Sequence, residues 1–347
     1  MLVKRSLSPR VIYEFAGHHI LWLTGWMLTV TLGYYFTHLT FFTLPTLPIT
    51  LIGTVVAFYV GFKNSEAYDR LWEARKIWGA LVNDSRKLGV LIKSYKDEAA
   101  EEGTDNATRR RIILRHIAYL YQLREQLLVP AEWEHVAANG NILNARVGRY
   151  NRKRRRRYES HYRNELEKVS QRMENYYLTP SEKEYLKSYS NKATQILDLQ
   201  TQDIQKLYER KSINYIQQVK IQDILNNFYD GQGMCERIKK FPIPRKYAGF
   251  SYIFTGIFVF LLPFGLVGEF SKLGDIWVLM SIPLSVIVGW IYVVMEMIGD
   301  YSEFPFQGLH NDIPMLSICR VIEIDMLQMI GEDDIPPGIE SKHEHLI

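Results

Sequence analysis

Few side chains in this sequence are arranged to do covalent chemistry. Its nine histidines are scattered, and "KHEH" near the end (Lys342 to His345) reads as a flexible tail. No GxGxxG, P-loop or HExxH occurs. Cys235 and Cys319 are the two cysteines. They are too few and too far apart for a metal site and read as buried apolar residues in a reducing compartment. Oxygen donors gather around "DYSEFPFQGLHNDIP", namely Glu296, Asp300, Glu303, Asn311 and Asp312, but without consecutive acidic residues. Calcium takes about six to eight oxygens, so structural hydrogen bonding is the better reading, and Asn311-Asp312 before Ile313-Pro314 reads as a turn or helix cap. No enzyme, cofactor or metal is expected. Thr54, Phe58 and Phe62 recur every fourth residue, the spacing that stacks side chains on one helix face. On spacing alone, lipid contact or helix packing is the preferred reading of that row.

The elements that must position this row are apolar helices. A mean hydropathy of -0.14 would suit a soluble domain, but the charges are unevenly spread. No Asp, Glu, Lys or Arg lies between Ile20 and Phe62, between Gly249 and Gly268, or between Ile276 and Met295. The last two runs each match the roughly 20 residues that cross a bilayer as a helix. The first is about twice as long and is broken by "THLTFFTLPTLP", so it reads as two spans, roughly 20–37 and 47–63. Four membrane helices follow, paired at the two ends of an all-α chain. The segments outside them, including Lys4, Arg5 and Arg10, are rich in Lys and Arg, while the links 38–46 and 269–274 hold one Lys. Positive segments stay inside, which puts both termini and the middle region in the cytoplasm. The expected divisions are 1–19, the first two spans within 20–63, a cytoplasmic helical region 64–248, the last two spans within 249–297, and a cytoplasmic segment 298–347.

The middle region has helical periodicity in "RIILRHIAYLYQLREQLLVP", where Ile112, Ile113, Ile117, Leu120, Tyr121 and Leu127 share a side. Thr179, Pro180 and Glu182 spell a capping box with proline at the first helical position. Another helix is expected from about 212 to 229. "RKRRRR" (Arg152 to Arg157) is the strongest charge run. It could bind anionic lipid headgroups or nucleic acid, and a solvated helix end is the blander reading. No RNA-binding or helix-turn-helix signature accompanies it. Membrane lipid is an expected partner and nucleic acid is not.

"GFKNSEAYDRLWEARKIWG" (Gly61 to Gly79) resembles the segment that follows the second span in the bestrophin family, in its prokaryotic branch. "FPIPRKY" (Phe241 to Tyr247), "LLPFGLV" (Leu261 to Val267) and "EFPFQGLHNDIPMLSICRVIEIDMLQMIGE" (Glu303 to Glu332) resemble further family segments in the right order. The resemblance covers roughly 1–125 and 213–335, and 130–205 poorly.

That resemblance implies a homopentameric ion channel in the bacterial inner membrane, with the second helix of each subunit lining a narrow neck and continuing into the cytosol. It makes Thr54, Phe58 and Phe62 the neck. Thr54 stands where the family carries an isoleucine-like residue, so that ring should wet more readily. It implies a second aperture around Ile216 to Ile221, with Val219 the best match. Tyr68, Trp72 and Trp78 would be packed, and Asp69, Arg70, Glu73 and Arg75 would pair within or between subunits. The metal expectation stays at none, with Asn311 and Asp312 the weak candidates. Passage would be passive and of small monovalent ions. The weight of the family favours anions of the chloride type over monovalent cations, and a membrane-anchored cytoplasmic scaffold is the remaining class.

Overall fold

The apolar segment that holds Phe58 and the charged face after it form one uninterrupted helix, Thr46–Ser94, of 49 residues. Its buried positions Ile49, Gly53, Val56, Val60, Lys63 and Ala67 advance in steps of three and four. Ala74, Trp78, Leu81, Ser85, Leu88 and Ile92 continue those steps, the 3.6-residue period of an α-helix. Only the opposite side changes composition, from leucine and phenylalanine to charge, so nothing in the buried side calls for a stop.

The computed structural model describes residues 9–95, 102–137, 142–309, 311–342 and 345–347. Lys4 and Arg5 lie outside the described residues, as do His343 and Glu344. The helices in chain order are α1 (Pro9–Ile12), α2 (His18–Thr37), α3 (Thr46–Ser94), α4 (Glu102–Leu128), α5 (Ile142–His161), α6 (Arg163–Arg172) and α7 (Pro180–Lys187). Then come α8 (Lys192–Glu209), α9 (Tyr215–Lys240), α10 (Arg245–Ser271), α11 (Asp275–Val278), α12 (Ser281–Ser302) and α13 (Met315–Met329). Among the described residues the one β-bridge joins Lys342 to His345.

The chain divides into two compact units. One holds the described residues up to Arg70 together with Pro242–Phe304, and the other holds Leu71–Phe241 with Pro305–Ile347. In the first, α2, α10 and α12 pack on one another, and Leu23, Met27, Ile49, Val56, Val60 and Phe258 form their core. Gly53 permits this closeness: a Cβ there would meet Phe258 at 2.7 Å. Among the described residues three helices are long and apolar enough to cross a membrane, within Thr40–Ser94, Arg245–Ser271 and Asp275–Ser302. The fourth expected span, α2, is charge-free and 20 residues long but does not join them. Its two histidines, four threonines and paired tyrosines dilute its leucines.

In the second unit, α4 is the central rod. It packs against α8, α9 and α13 and buries Ile112, Ile113, Ile117, Leu120, Leu123 and Leu127. Residues 112–121 are buried all round the helix, so more than one side of α4 needs a partner, and it has them. The Thr179/Glu182 capping box starts α7, and Asn214 with Gln217 forms a second one at α9. Arg115 locks three helices together. It donates to Asp203 and to the Leu199 carbonyl at 2.7 Å each, and to Glu182. Burial works against the Asp203 carboxylate, but the Arg115 and Arg111 guanidiniums outweigh it and hold its pKa below the usual carboxylate range. Cys235 and Cys319 are buried free thiols, and burial pushes both pKa values up.

The C-terminal segment is not the loose tail that its polar sequence suggests. Arg110 holds Glu332, Arg172 holds Asp334 at 2.7 Å, and Arg320 donates to the Pro337 carbonyl at 3.1 Å. Ile335 and Ile339 pack on the core, and Tyr162 accepts the Lys342 N–H at 2.9 Å. Asp333, Asp334, Glu340, Ser341 and Lys342 stay exposed at its surface even as these contacts hold the segment.

His116 is expected to make the second unit acid-sensitive. It is fully buried, with Nε2 2.9 Å from Ser85 Oγ, and burial lowers its pKa from 6.5 to about 3. The folded state therefore keeps the ring neutral while the unfolded chain takes up a proton below pH 6.5. Its contribution is fully present above that pH and is lost as pH falls toward 3. Between pH 7 and pH 5 the loss is about 2 kcal/mol. Denaturant melts at the two pH values should show this difference, and His116→Gln should shrink it.

Candidate functional site

The row singled out by its spacing lies on the uncovered side of α3. Phe58 and Phe62 are each 65% exposed within their own chain, and Thr54 is exposed above them. The uncovered face is longer than the three residues: Leu47, Leu51 and Val55 extend it. Their four-residue steps were visible in the sequence, but a row of leucines gives no sign of whether its own chain covers it. The Thr54 hydroxyl donates to the Thr50 carbonyl at 3.0 Å, and Thr50 does the same to Thr46 at 3.1 Å. Each hydroxyl proton is spent on the helix backbone. That leaves Thr54 less polar outward than its residue type suggests.

Directly behind this face is a buried charge pair. Lys63 Nζ, 1% exposed, lies 2.5 Å from Glu296 Oε1, and Ser251 donates to Glu296 Oε2 at 2.5 Å. Asn64 donates to the Met295 carbonyl at 3.0 Å. Gly299 leaves room for Asn64, since a Cβ there would strike its Oδ1. Glu296, one of the oxygen donors read from sequence, is thus committed to a lysine and a serine. Sequence reasoning missed Lys63 as a site residue; a lone lysine between Phe62 and Asn64 was the available signal.

Within one chain the charged half of α3 divides its residues between core and surface. Trp78 is fully buried, whereas Tyr68 is 58% and Trp72 51% exposed within the chain. Glu73 pairs with Arg237 at 2.5 Å. Asp69 and Arg75 are exposed, and Arg70 is half-buried. Val219 lies on α9 next to Tyr215 and Ile216, which are 66% and 65% exposed. Nearby, Arg86, Lys87, Val90, Lys220 and Ile224 line an open groove of about 510 Å³ in the same unit.

Asp312 is buried and its oxygens are committed. They accept the backbone N–H groups of Phe306 at 2.8 Å, and of Gly308 and Ile313 at 2.7 Å each. These bonds hold the turn in which Phe306 adopts φ 71°, a conformation costly for a bulky side chain. Asn311 is exposed. Among the described residues no group of three His, Cys, Asp or Glu side chains is placed to hold a metal. Asp312→Ala would strand three amides and is expected to cost about 3 kcal/mol or more. The thermal midpoint of the purified protein reads this, and an unchanged midpoint would contradict the role.

Comparison with known proteins gives the family and the fold. The sequence profile of the family described as "Bacterial/Fungal Bestrophin protein" matches residues 1–328. The voltage-dependent anion channel-forming protein YneE of Escherichia coli K12 is 26% identical over 292 residues, covering 84% of this chain and 79% of that one. The voltage-dependent anion channel-forming protein alr2987 of Nostoc is 26% identical over 279 residues, covering 80% and 76%. A crystal structure of a bacterial bestrophin homologue from Klebsiella pneumoniae has the same fold, with a TM-score of 0.70 at 22% identity, covering 91% of this chain and 98% of that one.

Proposed function

This chain belongs to the bacterial and fungal bestrophin family, and on that premise we propose that it is a passive anion channel of the inner membrane. The observation that carries the reading is the uncovered face of α3. One side of this helix is buried by its own chain, while Phe58 and Phe62 are left 65% exposed. An apolar row of this kind needs lipid, a second copy or a narrow aqueous path to face. Five copies around one axis would turn Thr54, Phe58 and Phe62 into rings, with α2 completing four spans in each subunit. Both termini and the second unit would lie in the cytoplasm. The names of the relatives support anions as the permeant species, and in this proposal they are small and monovalent.

Rings of phenylalanine can gate by dewetting. A phenyl edge is positive and its face negative, so inward edges favour anions and inward faces favour cations. No Lys, Arg, Asp or Glu lies between Ile20 and Phe62 to override that choice. A cation-selective channel is therefore the second reading, and it rests on ring orientation alone. Val219 on α9 would form a second aperture. The exposed Tyr68, Trp72, Asp69 and Arg75 would meet neighbouring subunits, where desolvated pairs fix geometry more than they add stability. No bond is made or broken in this function. Assembly is tested by native mass spectrometry of the detergent-solubilised protein. A species at five times the 40.7 kDa chain is expected, and a monomer alone would remove the pore.

A further inference from the structure

The run Arg152 to Arg157 separates into two kinds of cation. Helix α5 carries eight Lys and Arg against one Glu, a density that repels itself unless neighbours absorb it. The inner arginines are absorbed. Arg155 donates to Glu159 at 2.8 Å and to the Leu128 carbonyl at 2.9 Å, capping the C-terminal end of α4, where cations are favoured. Arg152 donates to the Val136 carbonyl at 2.9 Å, and Arg154 to the Tyr158 hydroxyl at 2.9 Å. The outer residues differ. Arg149, Lys153, Arg156 and Arg157 are all exposed, and their spacing puts them on one helix face.

The anchors of α5 are close in the chain to two membrane-length helices. Glu134, in the turn that holds Val136, pairs with buried Lys239 at 2.5 Å, and Lys239 comes six residues before α10 begins. Arg155 lies against Gly308, where a Cβ would meet its Nε at 3.4 Å, and Gly308 comes six residues after α12 ends. Six residues extend at most about 20 Å. Chain connectivity alone thus keeps the anchors of this helix within short reach of a bilayer.

We propose that the outer face of α5, formed by Arg149, Lys153, Arg156 and Arg157, binds the phosphate-bearing headgroups of anionic lipids in the membrane that carries the chain. The chemistry is that of guanidinium and ammonium groups meeting phosphate. The bilayer is the favoured source because tethering presents it at a fixed, high effective concentration, which no soluble polyanion has. The inference rests on membrane insertion and not on conduction.

The test uses the full chain in detergent, titrated with phosphatidylglycerol and with phosphatidylcholine of the same acyl chains. Native mass spectrometry counts the bound lipid. Each cation near an anionic surface contributes about fivefold, so R149Q/K153Q/R156Q/R157Q is expected to weaken phosphatidylglycerol binding about a hundredfold or more. K187Q/R210Q/K211Q/K220Q, with the same loss of charge on other surfaces, should leave it unchanged. Phosphatidylcholine should not distinguish the proteins. Equal phosphatidylglycerol binding by wild type and the α5 variant, with helicity intact, would overturn the proposal. So would displacement of the lipid by an equal concentration of inorganic phosphate, which would reassign the face to a soluble anion, or by a single-stranded oligonucleotide of matched charge. Current is not a readout here, so a negative result leaves the channel reading standing.

Discussion

Phe58→Ala combined with Phe62→Ala is expected to raise the current carried by the reconstituted protein about tenfold or more. If five copies of each ring form a dry constriction, the barrier is the cost of wetting it. Lowering that barrier by about 1.4 kcal/mol is enough for a tenfold gain in flux, and two rings of methyl groups in place of phenyls remove more apolar wall than that. Both residues are 65% exposed within the chain, so the substitutions should leave folding nearly untouched. This separates the gate from a packing role. Lipid-facing phenylalanines would leave the current where it was. Thr54→Val should change the current much less, because the Thr54 hydroxyl proton is already given to the Thr50 carbonyl.

Lys63→Met is expected to cost about 3–5 kcal/mol, the penalty for leaving a buried carboxylate without its counter-charge. Glu296, 6% exposed, would lose its counter-charge and keep the hydrogen bond from the Ser251 hydroxyl. Replacing both members, Lys63→Met with Glu296→Met, should recover most of the loss, since an apolar pair of similar volume is often neutral. Thermal midpoints of the three proteins in one detergent make the comparison. If the double variant were as unstable as the single one, the pair would matter for something other than charge balance. The consequence for conduction is positional. Lys63 follows Phe62 on α3, so releasing it should disturb the row proposed as the neck as well as the fold.

Much of this could be read from the sequence, and the residues show why. The charge-free runs marked the apolar helices because bilayer length and the absence of charge are properties of a segment by itself. The continuity of α3 was legible because no Pro, Gly pair or cap interrupts Gly61 to Gly79 in a way that would stop a helix. The Thr179–Glu182 box was legible for the same local reason. What could not be read was which side of a helix its own chain would cover. Thr54, Phe58 and Phe62 announced a face, but Leu47 and Leu51 belong to it equally, and Tyr68 and Trp72 lie outside the core that Trp78 enters. Partners distant in the chain were also out of reach. Lys63 finds Glu296 across 233 residues, and Arg115 finds Asp203 across 88. The arginine run looked uniform, yet its members divide between carbonyl caps and an open face. That division depends on where α4 ends relative to α5.

The most direct test of the central claim is a reversal potential. Purified wild-type protein is placed in a planar bilayer with a KCl gradient across it, and the voltage of zero current is read. The account predicts a value close to the chloride equilibrium potential, with the same sign in the Phe58→Ala/Phe62→Ala variant at larger current. A value close to the potassium equilibrium potential would contradict anion selectivity while leaving the neck in place. No current from either protein would contradict the channel itself.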